Sequence, residues 1–149
     1  MHFRFTSHIP CTPERLFAFH ELPDALRRLT PPWEKSRVVQ HAPSLRPGSR
    51  TIVKVRVAPL IWIRTESLHT IYEPPLLFVD EMVRGPFARW IHRHEIAAEG
   101  DGARLTDSIE VEAPFGIIGR LVAPWLILPR LRRLFAYRHE VTRRWCVGE

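Results

Sequence analysis

The feature that most constrains the fold is the region from Arg50 to Glu112, where apolar and polar residues alternate in successive short segments. In the segment from Thr51 to Val57, for example, valine occupies every second position from 53 onward. A period of two is typical of strands that bury one face. Turn residues separate the segments, and Glu99-Gly100-Asp101-Gly102 strongly predicts a tight hairpin. Strands joined in succession by such turns predict an antiparallel meander.

Seven strands are predicted in all, because the segment from His2 to Ile9 shows the same alternation. Two short helices should follow this first strand. One begins at Thr12-Pro13, a favourable N-cap and first helical residue, and ends near His20. The other runs from Pro23 to about Leu29. The remaining six strands are predicted at Val38–Val39, Thr51–Val57, Ile61–Tyr72, Leu77–Arg84, Phe87–Ala98 and Ala103–Glu112.

The rest of the chain is predicted to be one long helix from about Ile117 to Trp145, with bends permitted at Pro124 and Pro129. It is the only amphipathic element large enough to cover the sheet. We therefore expect an α+β fold, a single domain over residues 1–149. In it a curved antiparallel sheet of about seven strands wraps the long C-terminal helix and leaves an apolar cavity beside it. The apolar stripe of the helix has spacings of three and four and consists of Ile127, Leu131, Leu134, Arg138, Val141 and Trp145.

The composition is that of a soluble globular protein, with 45% hydrophobic and 26% charged residues. No charged-then-apolar leader opens the sequence. The longest apolar run, Ile117 to Leu128, is interrupted by Arg120 and Pro124 and is too short to span a bilayer. The two cysteines, Cys11 and Cys146, are too few for a disulfide framework and suit a reducing compartment. A cytoplasmic location is therefore expected.

The net charge of +6 raises the question of a nucleic-acid partner. Only two of the 22 basic residues are lysines, and most of the arginines are scattered singly. We interpret the one arginine cluster, near the C-terminus, as the solvated face of a helix rather than a site for a polyanion, and expect no nucleic-acid partner. This cluster consists of Arg130, Arg132, Arg133, Arg138, Arg143 and Arg144.

Three motifs accompany this order of elements: Gly85-Pro86-Phe87-Ala88-Arg89-Trp90-Ile91-His92-Arg93-His94, Leu105-Thr106-Asp107 and Ala113-Pro114-Phe115-Gly116. With the helix opening Pro13-Glu14-Arg15-Leu16-Phe17, they resemble the START-like (SRPBCC) superfamily over nearly the whole chain. This superfamily has the helix-grip fold and includes the Bet v 1 allergens and the polyketide cyclase/dehydrase proteins. The chain is most similar to its bacterial ligand-binding group with a GPF-x-x-W-x-H-x-H strand. The resemblance implies a ligand-binding domain, and it transfers no catalytic residue.

Strand geometry places one polar pair on the concave face of the predicted sheet. His92 and His94 share that face, and a hairpin centred on Gly100-Asp101 sets His94 opposite Asp107. Their Cβ atoms would be about 4.5–5.5 Å apart. The favoured interpretation is that the two buried groups satisfy each other. The alternative is a general acid/base pair, because a carboxylate orients a histidine and raises its basicity.

Arg138 interrupts the apolar stripe of the helix, and a buried arginine is seldom unpaired. We expect a structural ion pair with Asp107, Asp80 or Glu81. The alternative is that Arg138 anchors a carboxylate or phosphate of a ligand.

His92 and His94 also form an H-x-H pair, and two histidines with one aspartate are able to hold a metal ion as a facial triad. This spacing is common by chance, and Asp107 is placed to serve His94 rather than to share an ion with both histidines. No metal site and no cofactor are therefore expected.

Aromatic residues are predicted to form much of the cavity wall. Trp33, Trp62 and Trp90 should lie near the cavity or its mouth, and Phe17 should add to the lining, which suits a fatty, isoprenoid or aromatic ligand. The full set of predicted ligand-binding residues is Trp33, Trp62, Phe78, Trp90, His92, His94, Asp107, Leu131, Phe135 and Arg138.

Three functions follow in order of preference. The first is non-catalytic binding of a small hydrophobic molecule, a lipid, isoprenoid or polyketide-like compound. The second is an enzyme of the cyclase/dehydrase type in which His94 and Asp107 are the acid/base pair. The third is a lipid-associated protein that uses the run from Ile117 to Leu128, beside the arginine cluster, for weak contact with a membrane surface. Both a monomer and a homodimer are compatible with the sequence.

Overall fold

Seven strands and three helices follow one another along residues 1–148, which this computed structural model describes apart from the side chains of residues 119, 120, 122 and 123. The helices are α1 (Pro13–His20), α2 (Ala25–Arg28) and α3 (Gly116–Val147). The strands are β1 (His2–Ile9), β2 (Ser36–Gln40), β3 (Arg50–Ala58), β4 (Ile61–Glu73), β5 (Leu77–Arg84), β6 (Arg89–Glu99) and β7 (Gly102–Glu112).

All seven strands belong to one antiparallel sheet in the order β1-β7-β6-β5-β4-β3-β2. Strands β2 to β7 pair as consecutive neighbours, and β1 returns to the far edge to pair with β7. The sheet is curved, the long helix α3 lies against it, and the two short helices follow β1. The α+β helix-grip fold predicted from the sequence is confirmed.

The hairpin between β6 and β7 sets the register on which the candidate site depends. Its loop has two residues, and Gly100 has a φ of +58°, which a residue without a Cβ adopts at little cost. His94 lies opposite Asp107 and Ile96 opposite Leu105, as the sequence predicted. Apolar residues thereby meet apolar residues on the concave face.

Helix α1 closes one end of the space between the sheet and α3. Thr12 caps it, because the Thr12 Oγ1 accepts a hydrogen bond of 3.3 Å from the Arg15 backbone N–H. The helix buries Leu16 and Phe17, whose side chains enter a core cluster with Ile9 and Leu105. The side chains of Cys11 and Cys146 lie in the same cluster and form no disulfide bond.

Helix α3 is continuous over 32 residues, and Pro124 and Pro129 lie within it. Its buried face differs from the predicted apolar stripe by about one position, since Val141 and Trp145 are only half-buried. Two polar residues take buried positions that the sequence pattern did not assign to the core. The buried side chains along this face are Leu131, Phe135, His139, Thr142 and Cys146.

The two polar residues are tolerated there because each finds partners. The His139 ring lies 2.7 Å from both the Ser7 hydroxyl and the Asp107 carboxylate, and the Thr142 hydroxyl donates to the Arg138 carbonyl one turn earlier. The helix α3 is therefore oriented about its axis so that His139, and not Arg138, faces the centre of the sheet.

Candidate functional site

A cavity of about 650 Å³ lies between the concave face of the sheet and α3. Its walls are mostly apolar side chains from strands β2 to β6, the loop after α2 and the middle of α3. The three alternating valines of β3, at positions 53, 55 and 57, line it as their spacing implies. A second, more open groove of about 640 Å³ lies between the β3–β4 hairpin and α3 and shares Glu34 and Arg130 with the cavity wall.

One end of the cavity is polar, because neighbouring strands place ionisable residues in two adjacent rows across the sheet. In the first row His69 of β4, Asp80 of β5 and His92 of β6 are cross-strand partners. In the second row His94 of β6 is paired with Asp107 of β7. All five side chains are half-buried or buried. The sheet register alone therefore brings three histidines and two aspartates together.

Asp107 is the centre of this group. Its Oδ1 accepts a 2.7 Å hydrogen bond from His92 Nε2, and its Oδ2 pairs at 2.7 Å with His139 Nε2 from α3. His94 Nδ1 also lies 2.7 Å from Oδ1, although off the direction of a hydrogen bond, so this contact is mainly electrostatic. The Asp107 side chain is 4% exposed. Three rings therefore surround a single buried carboxylate.

The charges of Asp107 and His94 stabilise each other. Burial alone would raise the pKa of the Asp107 carboxyl, but the charge on His94 and the hydrogen bonds from His139 and His92 outweigh it and hold this pKa well below 3.8. Burial alone would lower the pKa of His94, but Asp107 and Asp80 outweigh it and raise this pKa to about 9. At neutral pH the His94 ring is therefore charged.

Two further rings near His94 have lowered pKa values. Burial, followed by repulsion from His94, lowers the pKa of His92 and lowers that of His20 to about 4. The Asp80 carboxyl also ionises readily, because its interactions with His94 and His92 outweigh burial and lower its pKa below 3.8. The carboxylates of Asp80 and Asp107 and the charged ring of His94 thus lie together at the polar end of the cavity.

Arg138 supplies a further positive charge to the cavity wall, but not in the predicted ion pair. Among the described residues no carboxylate oxygen lies within 4 Å of its guanidinium; its Nε donates to the Leu29 carbonyl at 3.2 Å. The guanidinium carbon lies 5.4 Å from the centre of the Phe135 ring. Burial lowers the pKa of Arg138, and the fields of Asp107 and Asp80 oppose that change. The expected pairing with Asp107, Asp80 or Glu81 is absent because Arg138 lies on the α2 side of α3.

The structure brings most of the predicted ligand-binding residues to the cavity wall. Asp107 is the exception at the polar end, because the rings of His92 and His94 separate it from the cavity. Phe17, also expected in the lining, packs in the core under α1 instead. The predicted residues that line the cavity are Phe78, Trp90, His92, His94, Leu131, Phe135 and Arg138.

Two predicted tryptophans lie elsewhere. Trp62 belongs to the face of β4 opposite the cavity-lining Ile63, and the Arg37 guanidinium carbon lies 4.9 Å from the centre of its indole. Trp33 lines the open groove rather than the cavity, between Tyr137 and the Arg133 guanidinium. Both differ from the expectation, since a lone aromatic residue gives no information about which face of a sheet it occupies.

Sequence reasoning missed several members of the site. His20 and His69 line the cavity, and His139 holds Asp107 from α3. Helical spacing offered a signal for His139, which follows Phe135 by four residues and Leu131 by eight and so shares their face. No comparable signal existed for His69, because the β4–β5 register contains a bulge that a sequence pattern does not reveal.

Comparison with known proteins finds a family and several related folds. A family model described as polyketide cyclase/dehydrase and lipid transport matches residues 9–135. Protein TTHA0849 from Thermus thermophilus is 20% identical, with a TM-score of 0.72 over 99% of this chain and 98% of that chain. A point mutant of norcoclaurine synthase from Thalictrum flavum, solved with a transition-state analogue, is 11% identical, with a TM-score of 0.73 over 99% of this chain and 94% of that chain.

A nucleoside-diphosphate sugar epimerase from Corynebacterium glutamicum is also similar, at 21% identity and a TM-score of 0.75. The match covers 95% of this chain but only 28% of the epimerase. At these identities the structural matches show a shared fold. No curated protein matches the sequence.

The mutual stabilisation of Asp107 and His94 is measurable by NMR titration of the histidine Cε1 protons. In chelator-treated protein we expect His94 to titrate near pH 9. The Asp107→Asn variant should lower this pKa clearly, because burial is then opposed mainly by Asp80. Asp101→Asn is the control, since that side chain is 96% exposed in the hairpin turn. A wild-type His94 that titrates near 6.5 would contradict this electrostatic description.

The same shift makes the free energy of unfolding depend on pH. The folded-state pKa of His94 lies above the unfolded value of 6.5, so its contribution is complete below pH 6.5 and is lost as the pH rises through about 9. At 1.36 kcal/mol per pH unit, the contribution is roughly 3 kcal/mol. Urea denaturation of the wild type should show this decline, and the decline should be shallower for Asp107→Asn.

Proposed function

Because this chain belongs to the polyketide cyclase/dehydrase and lipid transport family, we propose that it binds one small hydrophobic molecule between the sheet and α3. The observation that carries the proposal is a cavity of about 650 Å³ with mostly apolar walls. Sites for small ligands typically have volumes of about 300–1,000 Å³, apolar walls and a few polar groups at defined positions. This cavity has all three properties.

The distribution of charge favours an amphipathic ligand. The hydrocarbon part would lie against the β3 valines, Ile63 and Leu134, which contribute only apolar surface. The polar part would lie toward Arg138, because the charge of His94 is already balanced by the carboxylates of Asp107 and Asp80, whereas no carboxylate of the described residues pairs with Arg138. Arg138 has guanidinium donors beyond the Nε that contacts Leu29. A lipid, isoprenoid or polyketide-like molecule with one anionic or carbonyl-rich end fits this arrangement.

Filling the apolar end of the cavity should weaken binding. Val55 lines the cavity, whereas its neighbour Lys54 is exposed on the other face of β3. We expect Val55→Trp to weaken binding of an environment-sensitive apolar dye, and of a long-chain fatty acid that displaces it, by at least about tenfold, because the indole occupies the ligand volume. Lys54→Trp is the matched control and should bind as the wild type does. Equal binding by Val55→Trp and the wild type would exclude the cavity as the site.

Removing the charge of Arg138 should weaken the binding of a ligand with a charged polar end more than that of a ligand with an uncharged one. In chelator-treated protein, Arg138→Gln should reduce the affinity for a fatty acid about tenfold or more, because a charge-assisted hydrogen bond is lost. The affinity for the fatty alcohol of the same chain length should change little. Calorimetric titration measures both affinities. A parallel loss for the two ligands would show that Arg138 supports the structure rather than the ligand.

The enzymatic alternative assigns the acid/base role to His94 and Asp107. What favours it is a charged His94 ring on the cavity wall. Asp107, whose two oxygens already contact three rings, would orient and charge His94 rather than exchange protons with a ligand. To distinguish the enzyme from the binding protein, a poly-β-ketone thioester is incubated with the protein, and the recovered compound is analysed by mass spectrometry. Conversion by the wild type but not by His94→Gln would replace the binding proposal, and unchanged recovery from both would exclude the enzyme.

A second candidate function is contact with a lipid surface, favoured by the exposure of apolar side chains at the start of α3. No helix within the described part of the chain is long and apolar enough to cross a membrane. The side chains of residues 119, 120, 122 and 123 of the predicted contact segment lie outside the described residues. The exposed apolar surface comprises Phe115, which precedes α3, and Ile117, Ile118, Leu121, Trp125 and Leu126 of α3, each between 69% and 87% exposed.

The surroundings of this surface suit an anionic membrane. The tip of the β3–β4 hairpin adds Leu60, which is 92% exposed, and its neighbour Pro59 lines the same open groove as Pro129 of α3. Arg133 and Arg56 line that groove as well. Apolar side chains flanked by arginines insert between lipid headgroups while the cations approach anionic phosphates. Because Leu126 also lines the cavity, such contact would bring its mouth to the lipid.

Vesicle co-sedimentation tests this surface. Trp125→Glu should abolish association with phosphatidylcholine vesicles that contain phosphatidylglycerol, because a buried carboxylate in the headgroup region is unfavourable. Val83→Glu, at an exposed valine of β5, is the control and should bind as the wild type does. Wild-type binding should also weaken with added salt. Failure of the wild type to sediment, or a dimer in solution that Trp125→Glu dissociates, would show that this surface does not serve membranes.

A further inference from the structure

The polar end of the cavity brings together three donor atoms that belong to different cross-strand partners. His94 Nε2 lies 3.4 Å from Asp80 Oδ1, and His92 Nδ1 lies 3.6 Å from the same oxygen. The three atoms all lie within 4.8 Å of one another. The side chains are 6% to 19% exposed, so the atoms face the cavity rather than bulk solvent.

These separations differ from those of the hydrogen bonds nearby. The contacts of Asp107 with its three rings are all 2.7 Å long, whereas both contacts of Asp80 are longer by 0.7 Å or more. Two ligands of a tetrahedral ion with bonds of about 2.0–2.2 Å lie roughly 3.3–3.6 Å apart. The two separations from Asp80 Oδ1 fall in this range and are too wide for strong hydrogen bonds, and the third, between His92 Nδ1 and His94 Nε2, is no more than 4.8 Å.

Asp107 supplies the support that histidine ligands require. It contacts Nε2 of His92 and Nδ1 of His94, the ring nitrogens that point away from Asp80. Histidines that bind metals almost always present their second nitrogen to a carboxylate or carbonyl, which fixes the ring and raises its basicity. His139, in turn, holds the second oxygen of Asp107. One buried carboxylate thus orients both rings toward Asp80.

We propose that Asp80, His92 and His94 bind one divalent transition-metal ion of the zinc class, through Asp80 Oδ1, His92 Nδ1 and His94 Nε2. On binding, the ion replaces the proton between His94 Nε2 and Asp80, and that proton is released to solvent. Three protein ligands leave a fourth position open toward the cavity. The proposal goes beyond hydrophobic ligand binding and does not depend on it.

From the sequence alone, Asp107 was the one carboxylate placed beside the two histidines, and no metal site was expected. In the structure Asp107 stands behind the two rings, and the carboxylate on the cavity side comes from β5, where Asp80 is the cross-strand partner of His92. The H-x-H spacing puts both rings on one face of β6, and the β5–β6 register adds the third ligand. This combination is visible only after the strands are aligned.

The test uses untagged, chelator-treated protein titrated with Co²⁺, followed by visible absorption, and with Zn²⁺, followed by calorimetry. We expect one ion per chain, a tetrahedral cobalt spectrum and no competition from Mg²⁺, which prefers octahedral oxygen ligands. Asp80→Asn, which keeps the side-chain shape, should weaken Zn²⁺ binding by more than about tenfold. Asp107→Asn should weaken it by about 10- to 100-fold, as expected for a residue that orients ligands.

His8→Asn is the matched control, because His8 lies on the exposed side of β1, and this variant should bind Zn²⁺ as the wild type does. Absence of saturable binding, or equal binding by Asp80→Asn and the wild type, would overturn the proposal. Should Asp80→Asn fail to fold, ¹⁵N-histidine spectra of the wild type provide the answer. Addition of Zn²⁺ must then shift the ¹⁵N resonances of Nδ1 of His92 and Nε2 of His94. Shifts confined to other histidines would also overturn the proposal.

Discussion

The carboxylate of Asp107 lies in the interior with the rings of His92, His94 and His139 within 2.7 Å of its oxygens. An unpaired buried carboxylate costs several kcal/mol, so the side chain remains ionised only while these rings surround it. The rings come from two elements, β6 and α3, and Asp107 itself belongs to β7. The position of α3 across the sheet is therefore coupled to the charge state of one residue. The side chains of His92 and His94, at the polar end of the cavity, are positioned by their contacts with the Asp107 carboxylate.

The same contact explains why the cavity has one polar and one apolar end. The polar rows of β4 to β7 lie where His139 crosses them, and the valines of β3 lie beyond, where α3 presents only apolar or solvated side chains. A hydrophobic molecule with one polar terminus would meet complementary surfaces in a single orientation. Asp107 contacts Nε2 of His92 and Nδ1 of His94. The other nitrogen of each ring faces Asp80 and remains available to a ligand that binds there. Recognition of an ion and of an organic ligand would thus use neighbouring parts of one cavity.

Sequence patterns predicted the elements well and the faces of α3 less well. The strand limits were within two residues of the structure for β4 to β7, and the pairing of His94 with Asp107 followed from a period of two and a two-residue turn. The helix face was wrong by about one position because a hydrophobic stripe counts apolar residues, and His139 and Thr142 are polar. The same reasoning misassigned Arg138, which contacts Leu29 instead of a carboxylate. Polar side chains on a buried face are recognisable only when their partners on another element are known.

What the sequence by itself determined is the α+β helix-grip fold, the register of the last hairpin and the presence of ionisable side chains on an inward face. These properties are local, since alternation, turn chemistry and helical spacing act over a few residues. Only the tertiary structure decided that Asp107 stands behind the rings, that Asp80 and His69 join them, and that His139 closes the group from α3. Those contacts join residues far apart in the chain, and their geometry depends on sheet curvature, a bulge in β4–β5 and the rotation of one helix, none of which a local pattern encodes.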